Sequence, residues 1–245
     1  MIDYPDYLKS LELLQRYYQQ QPKIIKKVTC ILSTLQQLAQ RQLPSTDMPY
    51  IPLTAQDYWT ALNHDPQHIT LLDNTLNDFR QVLIEQFGIW HLPNQQWIND
   101  LHHFISGRTS LEIMAGNGVI SAQLSQLGDD ILATDNLNWH GQDNETPTPW
   151  LPVVHQDALH TVQQKAHLID VIILSWAPDT SYTDLDILRW LRSNHWPGDF
   201  IVIGEKNGST NSSDFWQAAT LTQPQRLNQH HQPFDYFQDQ VWLVK

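Results

Sequence analysis

The sequence is poor in cysteine, in basic residues and in long apolar runs. Cys30 is the only cysteine among 245 residues, so an intrachain disulfide and a cysteine-built zinc site are both excluded. Lys and Arg number 14 against 26 Asp and Glu, a formal net charge of −12. Tight non-specific binding to nucleic acid rests on neutralising phosphates, and this balance argues against it. No stretch approaches the length needed to cross a bilayer. Asp3, Asp6 and Lys9 interrupt the first residues, which do not read as a signal peptide. A soluble, cytoplasmic protein with no membrane partner is the expectation. A G-x-S-x-G elbow and a phosphate-binding P-loop are also missing. Internal repeats and charge runs do not stand out.

Apolar residues nonetheless make up 41%, enough for a packed core. The length suits one sizeable domain with an appendage. Residues 1–107 read as a helical region. Asp3 and Pro5 mark a helix start, with Leu8, Leu11, Leu14 and Tyr18 at helical spacing. Pro22 opens a second helix with a stripe of Ile24, Val28, Ile31, Leu35 and Leu38, and Lys26 and Lys27 on the opposite face. Such stripes usually mean core packing; the second reading is a lid or a homodimer contact through these helices. Pro44 to Pro52 is rich in turn formers and reads as a break or hinge. Helices follow over Thr54 to Leu62, around Leu76 to Phe87 up to Gly88, and from an Asn94 cap through Trp97, Leu101 and Phe104.

From residue 108 to 245 the pattern becomes alternating strands and helices, the mark of a parallel sheet covered on both faces. The strands expected are Ser110–Met114, Asp130–Thr134, Val153–His155, Val171–Leu174 and Phe200–Ile203. Leu221–Leu227 and Gln240–Val244 then fit an antiparallel pair that closes the sheet. The stretch from Asn136 to Pro152 has no helical period. It holds Trp139, His140, Pro147, Pro149 and Trp150 and reads as an irregular connection where a crossover helix would be usual.

The most informative residues are Leu111-Glu112-Ile113-Met114-Ala115-Gly116-Asn117-Gly118-Val119. A short apolar strand runs into a glycine turn, and helical spacing follows. Glycines there let a backbone approach a cofactor, beside the free amides of a helix N-terminus. Asp135 ends the next strand about twenty residues on, where an acid can accept from a ribose diol. A nicotinamide-binding turn wants G-x-G-x-x-G, and Ser121 stands at its third glycine.

This run resembles motif I of the class I S-adenosylmethionine-dependent methyltransferases, E-x-G-x-G-x-G, with Met114 at the first glycine position. The resemblance implies a Rossmann-like, doubly wound α/β sheet, mostly parallel with an antiparallel C-terminal strand, behind the helical region. It implies S-adenosyl-L-methionine as cofactor. Glu112 would lie near its methionine end, Asp135 would bind the ribose hydroxyls, and Asp157, with Ala158 beside it, would meet the adenine; Ala115, Gly116, Gly118 and Asn136 complete the cofactor-binding set. Read singly, Asp157 serves equally as a helix N-cap and Asp135 as a turn residue.

Ser175 and Trp176 follow the fourth strand beside the expected transfer site; packing at the sheet edge is the alternative for Trp176. His140, in the irregular stretch, and Glu205, after the fifth strand, are the candidate general bases. Twelve histidines raise the question of a metal. The adjacent pairs His102-His103 and His230-His231 diverge on regular structure, and Pro66 breaks the helix that would align His64 with His68, so no metal site is assigned. The reading is methyl transfer to a small-molecule or protein acceptor. The alternatives are a non-catalytic methyltransferase-like binding protein and a nicotinamide-dependent oxidoreductase.

Overall fold

The computed structural model describes all residues from Met1 to Lys245. Its first six helices are α1 (Tyr4–Tyr17), α2 (Pro22–Ala39), α3 (Ala55–His64), α4 (Ile69–Asn77), α5 (Phe79–Phe87) and α6 (Gln95–Ile105). Side chains that meet unpaired amides set the starts of α1, α3 and α6. Asp3 accepts from the Asp6 amide, Asn94 from that of Trp97, and Thr54 forms a reciprocal capping box with Asp57. No helix is long and apolar enough to cross a membrane.

The alternating half follows as β1 (Ser110–Ile113), α7 (Val119–Gln126), β2 (Ile131–Asp135), β3 (Val154–His155), α8 (Ala158–Lys165), β4 (Val171–Ser175), α9 (Thr183–Ser193), β5 (Asp199–Gly204), α10 (Ser213–Ala218), β6 (Leu221–Thr222), α11 (Gln225–Asn228) and β7 (Gln240–Val244). The seven strands lie in the order β3-β2-β1-β4-β5-β7-β6. The first five pair in parallel, and β7 runs antiparallel between β5 and β6. This is the Rossmann-like arrangement with an antiparallel end that the resemblance implies.

The sheet is buried on both faces because Val171–Leu174 of β4 and Phe200–Ile203 of β5 are continuous apolar runs. Val171 and Ile173 of β4, with Ile201 and Ile203 of β5, join one core with the N-terminal helices and α7. Ile172, Leu174, Phe200 and Val202 point the other way, onto α8, α9 and α10. The first of these cores holds 35 buried residues and runs without a break from Tyr7 to Val241. The helical region therefore packs directly on the sheet. Trp97 of α6 donates its indole N–H to the Leu227 carbonyl at 3.0 Å.

Three expectations change. Lys27 is buried, because the Pro44–Pro52 stretch crosses over α2. It donates to the Tyr50 and Pro52 carbonyls and lies 3.4 Å from Asp57. That stretch buries Met48 and Ile51 and so packs as part of the core. Of the strand expected over Leu221–Leu227, only Leu221–Thr222 pairs; Pro224 ends it, having no N–H to give, and α11 takes the remainder.

Candidate active site

A cleft of about 890 Å³ opens beyond the carboxyl ends of β1, β2 and β4, where ligands bind in open α/β sheets. One wall comes from the glycine turn after β1, one from the β2 end and the irregular segment, and one from α5 and the residues after β4.

The turn is tied down from several sides. Gly116 has φ +54°, and its N–H donates to Oδ2 of Asp135 at 2.8 Å. Leu137 donates its N–H to the other oxygen at 2.7 Å. Asp135 is thus held at the cleft edge by two backbone amides, each oxygen keeping capacity for a further donor. Met114 also has a positive φ, +52°. The backbone here follows the path that suits glycine, with a side chain in place, a conformation that costs a non-glycine residue roughly 1–2 kcal/mol. Met114 borders the cleft and packs against the second core.

Glu112 is fully buried at the start of this turn. Its Oε2 accepts from the Ser121 amide at 2.9 Å and from the Ser121 hydroxyl. Ser121 lies in the first turn of α7, so the carboxyl sits on that helix's N-terminus. Burial pushes Glu112 up to about 7; the Ser121 hydrogen bonds pull it back in part, and Asp135 adds to the rise.

The irregular segment between β2 and β3 contains no helix, as its sequence pattern suggests. It is nonetheless well anchored. Asn144 donates to the Ile84 and Glu85 carbonyls at 3.1 Å. Asn117 accepts from the Thr148 amide on its side chain and from the Trp150 amide on its carbonyl, both at 2.8 Å. It also donates to the Phe87 carbonyl at 2.8 Å. Trp139 is 4% exposed, lies over Gly88 and Gly116, and stacks edge-on with Trp90 at 5.3 Å.

Of the residues singled out in the sequence, Glu112, Ala115, Gly116, Asp135, Asn136, Ser175 and Trp176 line the cleft. The Ser175 hydroxyl is buried with no partner. Trp176 has φ +54° and donates its indole N–H to Oδ2 of Asp239 at 2.7 Å. Five others lie elsewhere. Gly118 faces the segment before β3, where a Cβ would stand 2.4 Å from Leu151; it serves close packing. Asp157 is exposed and caps α8 through the His160 amide, and Ala158 is buried in the second core. Neither is among the residues that line the cleft. His140 is 93% exposed, beside Glu145. Glu205 accepts from the Ser209 and Gln238 amides and braces a turn.

Sequence reasoning missed Arg80, Asn117 and His91. Arg80 is buried in the cleft wall. It donates to Asp235 and to the Trp90 carbonyl, both at 2.5 Å, and its guanidinium lies 4.4 Å from the Trp176 ring centre and 4.5 Å from that of Phe234. A lone Arg beside Phe79 and Leu83 of the buried stripe of α5 was its only trace in the sequence. His91 borders the cleft as well. Burial, aided by His231 and Arg80, holds it well below the ordinary imidazole range.

No protein-family profile matches the chain, and no curated protein does. Among solved structures it is similar to the magnesium protoporphyrin IX methyltransferase ChlM of Synechocystis PCC 6803 with bound SAM, at 13% identity and TM-score 0.35, over 80% of this chain and 93% of that one. An O-methyltransferase family protein of Burkholderia thailandensis aligns at 10% identity and TM-score 0.36, over 91% and 71%. The CcbJ methyltransferase of Streptomyces caelestis aligns at 14% and TM-score 0.28, over 46% and 50%, so this chain spans about half its length. Likenesses of this degree leave activity to the site itself.

Proposed function

We propose that the protein is a methyltransferase that binds S-adenosyl-L-methionine in the cleft beyond β1, β2 and β4. The observation that carries this reading is the place of Glu112. In a dinucleotide-binding domain the helix N-terminus after the glycine turn receives a pyrophosphate. Here the Glu112 carboxyl already occupies that N-terminus through Ser121, and a second anion would meet both its bulk and its charge. The cleft is also acidic. Glu112, Asp135, Asp143 and Asp179 line it, while its one Arg, Arg80, is paired with Asp235. Such a field favours a ligand carrying a sulfonium and an ammonium over one carrying two phosphates.

Asp135 would accept from the ribose hydroxyls, and Glu112, once ionised, would draw the ammonium. Trp176 stands at the end of β4 as a wall near the methyl group, where an indole face favours a cation by roughly 0.5–2 kcal/mol. Bound S-adenosylmethionine supplies an already reactive methyl donor. The chain's task is then to hold donor and acceptor in line, and alignment alone can supply roughly 7–11 kcal/mol of the barrier. The polar rim beside Trp176, with Asp179 and Thr180, suits a small molecule or an exposed protein side chain as acceptor.

Photo-crosslinking with methyl-labelled S-adenosylmethionine tests the reading. Label should attach to the chain and be displaced by excess S-adenosylhomocysteine but not by NADH. Displacement by NADH would place the chain among the oxidoreductases.

A further inference from the structure

At the cleft wall, two stretches far apart in sequence bring three ligand-type side chains together. His91 follows α5, His231 follows α11 and Asp239 precedes β7. The Nε2 atoms of His91 and His231 are 3.0 Å apart, and that of His231 is 3.9 Å from Oδ2 of Asp239. Ligand atoms of all three lie within 4.8 Å of one another. All three residues are at most 9% exposed. All three line a small cavity of about 20 Å³, room for one ion or one water.

Two imidazole nitrogens facing each other must share a proton if nothing lies between them. One ring then donates from Nε2, and the other carries its proton on Nδ1. Nδ1 of both rings is buried with no hydrogen-bond partner. An ion held by both Nε2 atoms would put a proton on each Nδ1, so those two atoms lack a protein partner with or without it; what points to an ion is the pair of Nε2 atoms aimed at each other beside a carboxylate.

We infer that His91, His231 and Asp239 form a site for one divalent first-row transition-metal ion. Two imidazoles and one carboxylate are the donor set of such ions, whereas Mg²⁺ and Ca²⁺ take oxygen ligands. Nitrogens 3.0 Å apart, each roughly 2.0–2.1 Å from an ion, subtend about a right angle, as neighbouring ligands of an octahedral ion do. Asp239 completes the set by closing in by about 1 Å. Its Oδ2 already accepts from the Trp176 indole, the kind of outer contact that orients a metal-binding carboxylate. The ion would clip the C-terminal segment to the α5–α6 connection and fix Trp176 at the cleft wall. These are positioning residues, and the site does not depend on what the cleft binds.

The test uses the full chain, stripped with a chelator and titrated with ZnCl₂ and, separately, CoCl₂. One equivalent should bind with micromolar or tighter affinity and raise Tm. His231→Gln and Asp239→Asn should each weaken binding at least tenfold and abolish the Tm gain. No stoichiometric binding to the native chain overturns the inference. So does equal binding by both variants, which would place the ion on exposed histidines such as His103. Should a variant fail to fold, imidazole NMR of the native chain decides. Zn²⁺ should shift the signals of His91 and His231 and leave the other ten of the twelve histidines unmoved, and a shift confined to other histidines contradicts the site.

Discussion

The backbone N–H of Gly116 donates to the carboxylate of Asp135 at 2.8 Å. This bond ties the glycine turn after β1 to the end of β2, so the two parts of the proposed cofactor site cannot move independently. The Leu137 amide holds the second Asp135 oxygen. Preorganisation of this kind lowers the cost of ordering a site when ligand arrives.

The two glycines of the turn should respond differently to alanine. At Gly116 a Cβ meets nothing closer than Trp139 at 3.7 Å, so the cost is that of a positive φ, about 1–2 kcal/mol. At Gly118 the same strain is joined by a Cβ 2.4 Å from Leu151 and 3.1 Å from Val153, and overpacking adds about 1–3 kcal/mol. Thermal melts should show Gly118→Ala losing several degrees more than Gly116→Ala. Equal losses would mean that Leu151 yields freely.

Met114→Gly restores the residue type that the turn favours. Relief of about 1–2 kcal/mol of backbone strain should be offset because the variant gives up the packing of the thioether chain against the second core. Net stability is expected to change by less than about 1 kcal/mol. Affinity for S-adenosylhomocysteine should hold or improve, as the side chain borders the cleft. A weakening beyond tenfold in a calorimetric titration would show that the Met114 side chain itself touches the ligand.

Glu112 gives the protein a pH signature. Its carboxyl titrates near 7 in the folded state against an ordinary 4.5. A raised value means that the folded state holds the proton more tightly. Its stabilising contribution is complete below pH 4.5 and is lost as pH rises through about 7. Glu112→Gln should remove that decline from a plot of Tm against pH. Affinity for S-adenosylhomocysteine should run the other way, rising from about pH 6 to about pH 8 as Glu112 ionises and meets the ammonium. Above the Glu112 titration, Glu112→Gln should bind about 10–100-fold more weakly, the equivalent of a hydrogen bond to a charged partner.

Trp139 fastens the irregular segment over Gly88 and Gly116. Trp139→Ala removes a buried indole and its edge-on stacking with Trp90, a change that typically costs about 3–5 kcal/mol. Limited proteolysis of this variant should cut first between Asn136 and Pro152, while the native chain resists there. Cleavage at the same rate in both would mean that the Asn117 and Asn144 hydrogen bonds hold the segment alone.

The sheet was legible because Val171–Leu174 and Phe200–Ile203 are unbroken apolar runs, and the start of α6 because Asn94 stands before an apolar stripe. β6 is shorter than expected: Pro224, with no N–H to give, ends it after Thr222, and Gln225–Asn228 form α11. Asp135 was readable at a strand end with a glycine turn about twenty residues before it. Asp157 looked equivalent; it caps α8 and does not line the cleft. His91 and His231 were invisible as a pair: 140 positions separate them, and no local spacing can signal a contact that only tertiary packing makes. Arg80 was hidden for the same reason, its aromatic neighbours and Asp235 lying far along the chain.

Calorimetric titration of the native chain with S-adenosylhomocysteine and with NADH tests the central claim most directly, with Asp135→Ala alongside. S-adenosylhomocysteine should bind at one equivalent per chain and at least tenfold more weakly to the correctly folded variant, and NADH should give no heat of binding. Binding of NADH without S-adenosylhomocysteine would contradict the account.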